Sequence, residues 1–106
     1  MDMPANRYIE KVKEFINLLN QNGIDVSEAY LFGSAVSGKI GENSDIDVAV
    51  VSPKFQGILF YDIEKISKFR RRIDLRLEIH PFSMSEIEND PPAFFQHIQQ
   101  KGLRIH

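Results

Sequence analysis

The chain has no cysteine, so no disulfide framework holds it together. It also lacks any apolar run long enough to span a bilayer, and no secretory leader is expected. A cytoplasmic protein without a membrane segment is the default expectation. The formal net charge is only −2, which gives no general attraction to nucleic acid and argues against long DNA or RNA as a partner. Internal repeats, low-complexity tracts and domain boundaries are absent as well. What remains is ordinary for a globular chain: 42% hydrophobic and 26% charged residues exclude disorder and fibre. The 106 residues predict one domain over 1–106. Such a domain has room for a single core but is small enough for a second subunit or a partner to complete a cleft.

The residues from Tyr30 to Ser52 stand out against this background: YLFGSAVSGKIGENSDIDVAVVS. Side chains of a strand alternate faces, so Asp45 and Asp47 project one way while Ile46 and Val48 project the other. Like charges held roughly 5 to 7 Å apart repel and are tolerated at a wet surface or around a cation. Val48 to Val51 reads as a strand buried on both faces, which puts the two aspartates at the mouth of a core element and favours the cation. Oxygen ligands without cysteine or paired histidine indicate a hard ion, magnesium or manganese, rather than zinc.

Gly33-Ser34 supplies the complementary half. A strand ending in Gly-Ser before a short helical turn offers free backbone N–H groups and one hydroxyl to an anion, which makes a phosphate seat. Gly33 permits close backbone approach, and Ser34 can cap the turn or donate to a phosphate oxygen. Metal ligands beside a phosphate seat suggest phosphoryl or nucleotidyl transfer. Taken singly, Asp-x-Asp and Gly-Ser are weak signals that recur at strand ends and turns. Gly-Ser, ten residues, then Asp-x-Asp, with an apolar run on each outer side, is much more specific.

That pattern resembles the signature of the DNA polymerase beta-like nucleotidyltransferase superfamily. The short chain and the early position of the motif resemble its minimal branch, whose members are often antitoxin partners of HEPN-domain toxins. The resemblance covers most of the chain. It implies that Gly33 and Ser34 hold nucleotide phosphates, that Asp45 and Asp47 bind the metals, and that a third carboxylate comes from a later strand. Ser44 and Lys39 join the candidate nucleotide contacts. The chain departs from the family in two respects, one being that many minimal members have Asp where Glu78 stands here. Many members also carry an arginine soon after Gly-Ser, as in GSxARG, where this chain has Val36 and Ser37; Lys39 is the available substitute.

The rest of the chain alternates helical and strand patterns. Tyr8, Ile9, Val12, Phe15, Ile16 and Leu19 fall at helical spacing and predict an amphipathic helix over about 6–22, stopped by Gly23. Ala29 to Phe32 predicts the first strand, Ala35 to Lys39 a helical turn, and 40–44 a loop. Asp45 to Val51 predicts the second strand, ended by Ser52-Pro53. A helix follows over about 58–71, with Leu59, Ile63, Ile66 and Phe69 or Arg70 inward; Lys68 and Arg70 to Arg72 complement its dipole. Ser83 to Glu86 can form a capping box. Asp90-Pro91-Pro92 then predicts a last helix to about Lys101, ended by Gly102, with one of Phe94 and Phe95 exposed. With Leu103 and Ile105, the exposed ring could form an apolar patch for a dimer or toxin interface, although core packing is the simpler account.

Ile73 to Pro81 alternates and predicts the third strand, with Asp74, Arg76, Glu78 and His80 on its polar face. Glu78 and Asp74 both have the parity of the missing carboxylate. Glu78 is preferred because, like the family's third acidic residue, it lies late in the strand before a loop and helix start. His80 stands beside this face; an imidazole at a strand end commonly satisfies a backbone group, and contact with nucleotide or acceptor is the alternative.

The elements together predict an α/β (α+β) fold, a small mixed sheet with helices like the polymerase beta palm. By resemblance, the chain is expected to move a nucleoside monophosphate, AMP from ATP, onto a hydroxyl with magnesium (or manganese) as cofactor. The acceptor that the resemblance implies is a tyrosine of a HEPN toxin; a homo-oligomer is the other assembly considered. The missing arginine keeps a second reading open, a binding protein that neutralises its partner by contact. A third reading is modification of a small molecule.

Overall fold

Apolar residues spaced three and four apart wind Pro4–Gln21 into helix α1 and turn Val12, Phe15, Ile16 and Leu19 into the core. The structure is a computed structural model and describes residues 4–37 and 45–106. Strand β1 (Glu28–Phe32) leads into a single helical turn, α2 (Ser34–Ser37), and strand β2 (Ile46–Ser52) is followed by α3 (Leu59–Ile73). Then come β3 (Leu77–Ser83), α4 (Met84–Asn89), α5 (Ala93–Lys101) and a two-residue strand, β4 (Leu103–Arg104).

Among the described residues the strands form one mixed sheet in the order β3-β2-β1-β4. Parallel neighbours need a long crossover, and α3 provides it between β2 and β3; β1 runs antiparallel to both β2 and β4. β2 is central and, apart from Asp47, buried along its length, as its Val-rich run requires. The outer strand β3 carries Pro81, which a central ladder would not accept.

Alternation along the strands separates two apolar clusters. Ala29, Leu31, Ile46, Val48, Val50, Leu77 and Ile79 face α1 and α3, meeting Phe15, Leu19, Ile66 and Phe69. Tyr30, Ala49, Val51 and Phe82 face the other way and meet Phe95 and Ile98 of α5. Burying each large side chain contributes on the order of 1.5–3 kcal/mol, so both layers matter to the fold. Tyr30 keeps its polar tip satisfied: its hydroxyl donates to Glu28 Oε1 at 2.6 Å, and burial pushes the phenol above its ordinary pKa. At Gly102 the backbone passes so close that an added Cβ would lie 2.6 Å from the Ile98 carbonyl oxygen and 2.9 Å from that of Leu31. This lets the chain turn from α5 straight onto β1.

Several expectations are corrected. The third strand starts at Leu77 rather than Ile73, because α3 continues to Ile73 and Asp74 closes it, its N–H donating to the Arg70 carbonyl. Asp74 Oδ1 then accepts from the Arg76 N–H at 2.9 Å and turns the chain, leaving Leu75 66% exposed. On α3 the predicted inward Leu59 is 65% exposed, and the buried position one turn later belongs to Asp62. The capping box forms as expected, with Ser83 Oγ accepting from the Glu86 N–H and Glu86 Oε1 from the Ser83 N–H. Asp90, however, ends α4 instead of capping α5, where Pro92 takes the N-cap position without a side-chain bond. Phe95 is the buried aromatic and Phe94 the exposed one; Leu103 is also exposed, whereas Ile105 packs on the core.

Candidate active site

Gly33 ends β1 with φ +74, a conformation open to glycine at little cost, and its carbonyl accepts from the Val36 N–H to start α2. The side of Gly33 where a Cβ would stand is taken by a carboxylate: an added methyl would lie 2.6 Å from Asp47 Oδ2. The glycine and the aspartate are thus mutually fitted. Asp47 sits opposite Phe32 on β1 and opposite Glu78 on β3, so the register sets Asp47 and Glu78 side by side on one face of the sheet. Asp45 lies just ahead of β2 and is exposed, as is Glu78. Asp47 thus borders the Gly33 corner, with Glu78 beside it on β3.

Of the two candidates for the third acidic position, Asp74 is engaged elsewhere. Arg76 donates to it from Nε at 3.2 Å and from Nη2 at 3.1 Å, in addition to the backbone contact. Those bonds, chiefly from the guanidinium, hold the Asp74 carboxyl below its ordinary range, and Asp74 in turn raises the Arg76 guanidinium. Arg76 also lies over the Tyr8 ring, 5.6 Å from its centroid. Glu78 is therefore the acid that the fold sets beside Asp47.

His80, one register step along from Glu78, does not serve a backbone group in the way its strand-end position suggested. Its Nε2 lies 3.3 Å from Asp47 Oδ1, and its ring packs edge-on against Phe32 and Phe94, at centroid distances of 5.0 and 5.7 Å. Parity placed His80 on the correct face, but nothing in the spacing showed that α5 would fold back to lay Phe94 over it. Asp62 was missed as well. It is 1% exposed and accepts from the N–H groups of Gln56 and Gly57 at 2.8 and 2.9 Å, fixing the loop between β2 and α3. An acid in the first turn of a helix, after a loop glycine, was the available signal.

Among the described residues, no three acidic or imidazole side chains come close enough to form a metal-binding group. The expected trio of Asp45, Asp47 and Glu78 thus shares one end of the strands without closing into a ligand set. The donor chemistry still suits magnesium, which is commonly held by one or two carboxylates together with phosphate oxygens and water. Lys39 and Ser44 lie outside the described residues. No helix among the described residues is long and apolar enough to cross a membrane.

A mixed sheet whose Gly-Ser corner abuts an aspartate on the next strand, beside a second acid, is the architecture of a nucleotidyltransferase fold. The sequence agrees: the chain belongs to the family described as "Polymerase beta, Nucleotidyltransferase", whose model matches residues 11–106. Among solved structures, the chain is similar to a protein of Sulfolobus solfataricus described as a candidate nucleotidyltransferase. The TM-score is 0.63 at 22% identity, over 80% of this chain and 75% of the other. It is also similar to a chain of a toxin-antitoxin crystallised with AMP-PNP, with a TM-score of 0.59 at 23% identity, over 92% of this chain and 72% of the other. No curated protein matches the chain.

Proposed function

We propose that this chain is a minimal nucleotidyltransferase that moves AMP from ATP onto a protein hydroxyl, in the role of an antitoxin. The observation that carries the reading is the fit of the Asp47 carboxylate against Gly33 with Glu78 directly opposite. Gly33 and Ser34 receive the triphosphate, with Lys39 and Ser44 as further nucleotide contacts. Asp45, Asp47 and Glu78 would hold magnesium (or manganese), which when bound neutralises phosphate charge and polarises the phosphorus under attack. The exposure of Glu78 supports an alternative role, as the base that takes the proton from the acceptor hydroxyl. The hydroxyl oxygen then bonds to the α-phosphorus as the bond to pyrophosphate breaks.

Likeness to a chain of a toxin-antitoxin supports a protein partner; the acceptor in this reading is a tyrosine of a HEPN-type toxin. The exposed run Ile58, Leu59, Phe60 and Tyr61 supports a protein-facing surface as well. A second reading, neutralisation by contact with little or no transfer, is favoured by two features. The chain has Val36 and Ser37 where the family's arginine would fall, and His80 already engages Asp47. The two separate on incubation with α-labelled ATP, magnesium and the protein product of the adjacent gene. Label moving to that protein, and no longer moving with Asp47→Asn, supports transfer; neutralisation that survives Asp47→Asn without label supports contact.

A further inference from the structure

Adjacent phenylalanines at the start of α5 have opposite fates: Phe95 is wholly buried in the second core layer, while Phe94 is 48% exposed. Phe94 is nevertheless not loose. Its ring is braced by three others on the sheet, Phe32 at 5.7 Å, His80 at 5.7 Å and Phe82 at 6.3 Å between centroids. Two of those braces reach the candidate site directly: Phe32 precedes Gly33, and His80 Nε2 lies against Asp47. The half-open ring thus stands one aromatic ring away from the carboxylate that borders the phosphate seat.

Resting on the reading above, we propose that Phe94 is the stacking platform for the purine base of the donor nucleotide. A ribose joins the base of a nucleoside triphosphate to its α-phosphate, so a base whose phosphates sit at Gly33 needs a surface a short distance beyond Asp47. Phe94 is an exposed ring in contact with His80, which lies against Asp47, and with Phe32, which precedes Gly33. Stacking on aromatics is tolerant of base identity but demands a π-face, and a purine offers the larger one. Because three neighbours already hold the ring, little side-chain freedom is lost when a base settles on it. The same contacts explain why an apolar ring, rather than a polar side chain, occupies a half-exposed position at the rim of an acidic site. The tyrosine of an acceptor protein is the competing occupant, and the test distinguishes it.

The test is calorimetric titration of the full chain, in magnesium, with ATP and separately with inorganic tripolyphosphate. Phe94→Ala is expected to weaken ATP by about 5- to 140-fold, the range for losing one base stack, and to leave tripolyphosphate within about twofold. Phe94→Trp is expected to retain ATP binding, with indole fluorescence quenched by ATP and not by tripolyphosphate. Unchanged ATP affinity in Phe94→Ala overturns the platform, as does an equal loss for both ligands, which marks a structural role. Unchanged ATP affinity with slower transfer to a tyrosine acceptor also overturns it and assigns the ring to the acceptor. A wild-type chain that binds neither ligand refutes the nucleotide reading itself, and the platform with it.

Discussion

At Gly33 a backbone dihedral and a carboxylate depend on the same missing side chain. The φ of +74 disfavours any Cβ, and the space a Cβ would fill already holds Asp47 Oδ2. Gly33→Ala should therefore cost about 1–2 kcal/mol from the left-handed backbone alone. It should also move Asp47 away from the corner, so that nucleotide binding falls further than stability does. Urea unfolding beside ATP titration would check both, and an alanine variant with wild-type behaviour in each would show that the corner is not fitted as described. Asp74 offers a second residue-level test, through pH. Its carboxyl is held below its ordinary value mainly by Arg76, so its contribution is complete above the unfolded-state pKa of about 4 and disappears as pH falls through the lower folded value. Asp74→Asn should cost about 1 kcal/mol at neutral pH. The gap to wild type should close below about pH 4; a gap constant down to pH 2 would mean that charge is not what Asp74 contributes.

Elements whose pattern comes from one strong periodicity could be read from the sequence. α1 announces itself by its apolar stripe, β2 by its Val-rich run, and the place of Glu78 and His80 on the polar face of β3 follows from counting twos. Elements shaped by a single side-chain contact could not. Ile73 and Leu75 continue the alternation of β3, yet Asp74 turns the chain there, because a helix end with a bonded acid outweighs a two-residue pattern. The burial of Asp62 was hidden for the same reason: an acid in a first helical turn reads as a solvated charge, and only the folded loop shows the two backbone N–H groups it serves. Within the candidate site, Gly33, Ser34, Asp45 and Asp47 lie on one continuous stretch and Glu78 and His80 on the polar face of β3, whereas the packing of Phe94 on His80 depends on α5 folding back over the sheet, which no local pattern encodes. The Asp62 account makes a prediction about the element it holds. Asp62→Ala should lower stability by about 1–3 kcal/mol, since two donors lose their acceptor. Hydrogen exchange should quicken first at Gln56 and Gly57, and protection unchanged at both amides would count against it.

Both faces of the sheet are covered, and β1 and β2 contribute side chains to both apolar layers. A strand that is buried on two sides transmits the loss of either layer to the other. The smaller layer, around Phe95 and Ile98, is built from the last helix, and the chain beyond it returns to pair with β1 through Tyr30 and Leu31. The C-terminal segment is therefore part of the sheet's stability as well as a wall of the candidate site. Phe95→Ala should cost about 3–5 kcal/mol, as expected for a wholly buried ring, while Phe94→Ala next to it should cost far less because its ring is already half in water. If the two layers unfold as one unit, Phe95→Ala will accelerate hydrogen exchange in α1 and β2, across the sheet, by the same factor as in α5. Acceleration restricted to α5 and β4 would show instead that the second face opens independently. The aromatic wall would then be a local fold laid on a sheet that stands without it.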